Sequence, residues 1–427
     1  MIIRRIPEDF AVEEELAAEV VGSWGSACTP ETPVAVYALR KNSLTTPEAV
    51  HWLAKSLGVR EGLVSHAGLK DKHAVTTQHV SVREPDAKKR AALAAEARGD
   101  NGHGWSARRV GWCREDLKSA EIRRNRFRIV VRDLTPADVR EMDRRMRLLA
   151  DAPTGGGGGP APLVVVNYFG DQRFGSARHG GGWIASHLLR GEFEAALRLA
   201  IGTPARKDTG KKRVFSRVAA SGWAAEGDLV AWAALVEQLP RCPERRSIEA
   251  LARGGTFREA FAALPAFTQH MSVEAYQSHL WNEIVRRFVR SLATSPGGSH
   301  DSERLLTASD SYGDLVFPEA TLVTDAMRRM ELPMPSTRVS YIEPWRSLVV
   351  DVLADAGLSL DRLTIPGMRR PAFGDAMRRV FADVDEIDMS GPGADELARS
   401  KGRLRRTVSF ALPRGAYATV LLRAIGC

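Results

Sequence analysis

Residues 67–78 read AGLKDKHAVTTQ, a polar stretch in which a single carboxylate, Asp71, stands between Lys70 and Lys72. Neighbouring positive charge favours the ionised form of a carboxyl group. An anion available near neutral pH can serve as a nucleophile or a base. Gly68 permits a tight bend ahead of the acid. Thr76, Thr77 and Gln78 bring hydrogen-bonding groups immediately after it. Taken alone, the same twelve residues also describe a surface turn of solvated charges, since short charged motifs match by chance.

Other blocks of the chain narrow that choice. PEDFAVEEE occupies residues 7–15, RNRFRI 124–129, NYFGDQRFG 167–175, AYQSHLWNE 275–283 and LPRGAYATVLLR 412–423. Lys70, Asp71, Lys72, Ala74, Thr76 and Gln78 fill every specified place of the pattern Lys-Asp-Lys/Arg, any, Ala, any, Thr, any, Gln. With these blocks in this order, the chain resembles the tRNA pseudouridine synthase D family.

The resemblance implies an α/β fold of the α+β type: a pseudouridine-synthase-like, mixed and largely antiparallel sheet flanked by helices, with a second α/β domain inserted. The expected borders are 1–160 and 366–427 for the catalytic domain and 161–365 for the insert. It also implies isomerisation of uridine to pseudouridine in transfer RNA at uridine-13, with Asp71 as the catalytic carboxylate. The family has Asn and Phe near the base, which carries over to Asn125 and Phe127. Arg4 best fits the cation expected beside the catalytic acid, and Lys70 and Lys72 are expected to tune it. Phe10 and Glu14 match the family's aromatic and acidic positions, though both also suit a purely structural strand. Trp281 stands where the family usually has Phe, and Ala424 replaces an acid that commonly follows the last block, so no catalysis is assigned to the tail. A noncatalytic RNA-binding or RNA-folding protein on the same scaffold is the alternative reading.

The chemistry is consistent with these residues. Converting uridine to pseudouridine breaks a C–N glycosidic bond, turns the base in its pocket and rejoins it through carbon, so no cofactor and no metal are expected. It calls for a carboxylate beside the ribose and a site that retains the free base. Because a uridine in folded RNA must be extruded first, an aromatic ring is needed to stack it. Phe127 is the candidate, although one face of a strand is ordinarily core.

The chain has 427 residues, more than one growing core accommodates, which points to two domains. Lys and Arg number 61 against 52 Asp and Glu, for a net charge of +9, favouring a polyanionic partner. Cys28, Cys113, Cys242 and Cys427 form no CxxC pair, against a zinc ribbon or redox dithiol. His66, His73 and His79 match no metal-ligand spacing, and Ser65 and Ser81 lack a nucleophile elbow. The start turns acidic at Glu8 and Asp9, and no stretch approaches membrane-spanning length, so a cytoplasmic protein is expected, with a monomer as the expected state.

Periodicity predicts strands over residues 10–14, 34–39, 79–82, 122–131 and 405–412. A helix capped by Thr45 or Thr46 and ended by Gly58 is predicted ahead of Asp71, which then sits on a loop. Further helices are predicted over 136–149, 183–199 and 272–293. Residues 155–159 are all glycine and read as a flexible break, since no GKS or GKT follows to make a phosphate loop; 295–302 is a polar linker. On the strand at 122–131, Arg124, Arg126 and Arg128 face away from Asn125, Phe127 and Ile129. Phosphate contacts are expected from these arginines, from Arg173, and from a basic loop over 206–213 through Arg206, Lys207, Lys211 and Lys212.

Overall fold

Alternating apolar and acidic residues make Phe10–Leu16 (β1) a strand that buries Phe10, Val12, Glu14 and Leu16 on one side. The computed structural model describes residues 1–93, 104–150, 163–175, 182–204, 208–224, 229–294 and 301–427. In chain order the remaining strands are Val34–Asn42 (β2), Val64–His66 (β3), Val75–Val82 (β4), Trp105–Cys113 (β5), Ile122–Leu134 (β6) and Leu163–Val166 (β7). There follow Leu305–Ala308 (β8), Leu315–Pro318 (β9), Glu331–Pro333 (β10), Met377–Arg379 (β11), Phe381–Met389 (β12), Gly393–Ala394 (β13) and Leu404–Pro413 (β14).

One large sheet runs β5-β2-β4-β1-β6-β14-β12-β7, with β3 on β4 and β13 on β14. Among the described residues only the β1–β4 pair is parallel in it; the remaining pairs are antiparallel. The fold is therefore α+β, built on a mixed, largely antiparallel sheet with flanking helices. Strands from both halves of the sequence meet at its centre, where β6 lies between β1 and β14. The register sets Val12 opposite Phe127 and Phe127 opposite Phe410, while Glu14 lies opposite Asn125. Directly opposed residues project from the same face, so these side chains share one surface.

The helix Thr46–Leu57 begins with Thr45 as the cap: its hydroxyl accepts from Glu48 N, and the Glu48 carboxylate accepts from Thr45 N. Gly58, at φ 66°, ends it in the left-handed conformation. Ala49, Val50 and Leu53 then pack on Tyr37, Leu39, Val80 and Trp105 of the sheet. This packing carries the loop bearing Asp71 at the helix's N-terminal end, through contacts described below.

Chain contacts divide the protein into two units. The first comprises Met1–Val166, Glu319–Val323 and Phe381–Cys427; the second comprises Asn167–Pro318 and Thr324–Val380. The second unit is mainly helical around Ala266–Ser291, with the two-stranded sheets β8–β9 and β10–β11. Among the described residues no helix is long and apolar enough to cross a membrane.

Several local expectations need correction. Lys211 and Lys212 are not in a loop but in the first turn of the helix Gly210–Ala224, both exposed. The helix predicted over 183–199 is two short ones, Ile184–Leu189 and Phe193–Leu197, because Gly191 turns the chain at φ 75°. The long helix starts earlier than residue 272, at Ala266, and β4 begins at Val75. The glycine run 155–159, Arg206, Lys207 and most of the linker 295–302 lie outside the described residues.

The N-terminal residues are tied down by a buried carboxylate. Asp9 Oδ2 accepts from Arg5 N at 3.0 Å and Ile6 N at 3.1 Å, and Oδ1 accepts from Arg132 Nε at 2.8 Å. Arg132 also donates to Asp395 Oδ1 at 2.8 Å. The backbones of Ile2 and Arg132 exchange two hydrogen bonds. Removing one partner of such a buried pair is costly, so Asp9→Ala is expected to lower stability by about 3 kcal/mol. Urea denaturation checks this; a midpoint equal to wild type would show that Asp9 does not hold the chain start.

Candidate active site

Asp71 lies on the loop between β3 and β4, with its side chain 38% exposed and its Oδ2 accepting from Arg4 Nη2 at 2.8 Å. Arg4 is itself placed by the face of Phe10, its guanidinium carbon 4.0 Å from the ring centroid. Three anchors hold the loop. Lys41 Nζ donates to Asp71 O at 2.6 Å and to Leu44 O at 2.8 Å. Thr46 Oγ1 accepts from Lys70 N at 3.0 Å and donates to Gln78 Oε1 at 2.9 Å. Gln78 Nε2 in turn donates to Gly68 O at 3.2 Å.

The lysines flanking Asp71 are directed to different partners. Lys70 turns inward, its Nζ 2.9 Å from Glu14 Oε2 and 2.7 Å from Asn125 Oδ1. Lys72 reaches Glu48 Oε1 at 3.2 Å. Glu14 is buried and also accepts from His79 N at 3.0 Å. Burial raises the Glu14 carboxyl, but hydrogen bonding from His79 and the charge of Lys70 outweigh it and leave its pKa lowered. Lys41 is buried as well; desolvation brings its ammonium down to about 8 although the negative charge of Asp71 opposes the shift.

Asn125 and Phe127 share the face on which Glu14 and Val12 lie. The half-buried Phe127 ring stacks on Phe410, centroids 5.2 Å apart and planes at 23°, and takes the edge of Phe10 at 6.2 Å. Phe10 and Phe410 are each 2% exposed, so they back a ring that is itself partly open.

Arg124, Arg126 and Arg128 fall on the opposite face, and two of them are engaged by carboxylates. Arg124 contacts Glu15, Asp385 and Glu386, and Arg126 contacts Glu15 and Glu386. Arg128 is exposed; with Arg40, Thr77 and Ser409 it lines a depression of about 390 Å³. In the second unit Arg173 pairs with Glu274 at 2.8 Å and donates to Ser278 Oγ at 3.2 Å. Asn282 holds the backbone of Phe169 in both directions, and Trp281 Nε1 donates to Leu332 O, so those two blocks pack against their surroundings. Among the described residues no group of three or more His, Cys, Asp or Glu is placed to hold a metal ion.

Two anchoring residues escaped sequence reading. Thr46 looks like an ordinary helix-start residue. Lys41 did carry a signal, since strand alternation puts it on the inward side with Tyr37 and Leu39, an unusual place for a lysine.

A sequence profile described as tRNA pseudouridine synthase D (TruD) matches residues 1–425. This chain belongs to the tRNA pseudouridine synthase D family. It is a pseudouridine synthase, an isomerase, with transfer RNA as its substrate class. It is 28% identical to the tRNA pseudouridine synthase D of Aquifex aeolicus over all of this chain and 98% of that one. It is 30% identical to a probable tRNA pseudouridine synthase D of Halobacterium salinarum, over 99% of this chain and 92% of the relative. A crystal structure named as that of a Methanosarcina mazei tRNA pseudouridine synthase D superposes with a TM-score of 0.65 at 23% identity, over 99% of this chain and 92% of that one; it bears on the fold alone.

The lowered Lys41 ammonium has a measurable consequence. Between about 8 and 10.5 the unfolded chain holds this proton while the folded chain has released it, so stability rises with pH through that window. Subtracting the pH–stability curve of Lys41→Met from that of wild type should isolate this rise. A flat difference would mean that the buried amine does not titrate there.

Proposed function

We propose that this pseudouridine synthase acts at uridine-13 of transfer RNA with Asp71 as its catalytic carboxylate. The observation that carries the reading is the Arg4–Asp71 pair at 2.8 Å beside Lys70 and Asn125, which themselves lie 2.7 Å apart, with Phe127 on the same sheet face as Asn125. In this reading the C1′–N1 bond breaks, the uracil turns, and a C1′–C5 bond forms; C5 loses a proton and N1 ends with one, so the change is an isomerisation without oxidant or reductant. Asp71 starts it in one of two ways, by attack on C1′ to give an ester or by removal of the C2′ proton to give a glycal. Arg4 stabilises the carboxylate, with Lys70 and Lys72 contributing positive charge nearby. Phe127 stacks the extruded base and Asn125 orients its polar edge.

The second unit corresponds in this reading to the inserted domain. Arg128, Lys211 and Lys212, all exposed, are the first candidates for phosphate contacts; Arg173, Arg206 and Lys207 are proposed as further ones. Arg124 and Arg126 would have to exchange carboxylate partners for phosphate to join in. The cytoplasm is the proposed place of action.

Carbodiimide labelling and primer extension on target tRNA test the assignment. Asp71→Asn is expected to abolish pseudouridine formation, a loss of at least about 10³-fold in kcat, while tRNA affinity stays within about threefold. Joint loss of binding and activity would make Asp71 structural, and wild-type binding without any pseudouridine would leave an RNA-binding scaffold. Separately, the double charge reversal Lys211→Glu with Lys212→Glu should weaken tRNA binding and flatten its dependence on salt. Unchanged affinity would move the phosphate contacts elsewhere.

A further inference from the structure

Leu69 is 70% exposed, two residues before Asp71. Val230, Phe267 and Ile342 are as open, but Leu69 is the one that stands two residues from the proposed catalytic carboxylate. The backbone on either side of it is held. Gly68 O is bound by Gln78, Lys70 N by Thr46 and Asp71 O by Lys41. Lys70 carries its own side chain into the body, 10% exposed, between Glu14 and Asn125. These bonds hold the backbone on both sides of Leu69, and an isobutyl group in water forgoes the gain of burial. The protein thus carries an exposed apolar projection near the proposed catalytic carboxylate, where Lys72, with its side chain 45% exposed, suits an RNA backbone.

We propose that Leu69 is a wedge for the RNA stack: as the target uridine swings out toward Asp71, the Leu69 side chain enters the gap it leaves. The gap is bounded by the apolar faces of the flanking bases, and closing it again would return the uridine to the helix. An aliphatic side chain fills that space without asking for hydrogen bonds and raises the population of the extruded state. Phe127 would receive the base on one side while Leu69 occupies its former place on the other. Leu69 is then a positioning residue, since it touches the neighbouring bases and not the reacting atoms. The inference rests on the reading of Asp71 given above.

The test uses the full-length protein and folded target tRNA carrying 2-aminopurine beside the target uridine. In the Asp71→Asn background, expected to bind without turnover, addition of protein should raise 2-aminopurine fluorescence as its neighbour leaves the stack. Adding Leu69→Ala should remove most of that rise. In the otherwise native enzyme, Leu69→Ala should lower kcat/KM on folded tRNA by roughly tenfold or more, and Leu69→Met should restore most of it. A Leu69→Ala enzyme with native kcat/KM overturns the wedge, and so does a rate loss with the fluorescence rise intact. A wild-type protein that forms no pseudouridine would sink the enzymatic reading instead, a result visible before any Leu69 variant is made.

Discussion

A buried ammonium, that of Lys41, donates to the main-chain oxygens of Asp71 and Leu44 and so joins β2, the turn into the helix Thr46–Leu57 and the Asp71 loop at a single point. Burying a charge is unfavourable unless its hydrogen bonds are met. The lowered pKa of Lys41 expresses that cost. What the protein obtains in exchange is a held backbone position for Asp71. Removing the amine would take a donor from two carbonyl oxygens at the place where the loop must hold its shape.

A second buried pair works alongside it. Glu14 and Lys70 meet at 2.9 Å inside the first unit, with Asn125 completing the Lys70 coordination. The lysine next to the catalytic candidate is therefore spent on a carboxylate one strand away, and direct contact with Asp71 falls to Arg4, a residue held by the chain-start contacts of Asp9 and Arg132. Long-range pairing thus substitutes a cation 67 positions distant in sequence for one that is adjacent. Adjacency in a chain brings side chains near each other, but the direction each one takes is set by the partners it can reach.

The pleat of the sheet separates the rest of the surface into two parts. With a period of two, β6 sends Asn125 and Phe127 to the side of Asp71 and sends Arg124, Arg126 and Arg128 to the other. Acidic residues on β1 and β12 meet the arginines there. The sheet's arginines therefore lie on the face opposite Asn125 and Phe127.

Several features could be read from the residues before any folding. The alternation in β1 and β6, the Thr45, Pro47 and Gly58 signals of the first long helix, and the position of Asp71 on a loop are local, governed by steric preference and hydrophobic period within a few residues. The motif around Asp71 also indicated the family. Helix breaks such as that at Gly191 were less legible, because a helical period continues through a single glycine turn. By itself, then, the sequence determined the local elements, the family and the candidate carboxylate. Only the tertiary structure decided that Arg4 touches Asp71, that Lys70 goes to Glu14 and Lys72 to Glu48, and that buried Lys41 carries the loop. The physical reason is that ion pairing and burial depend on which distant strands come into register, and no short window of sequence contains that information.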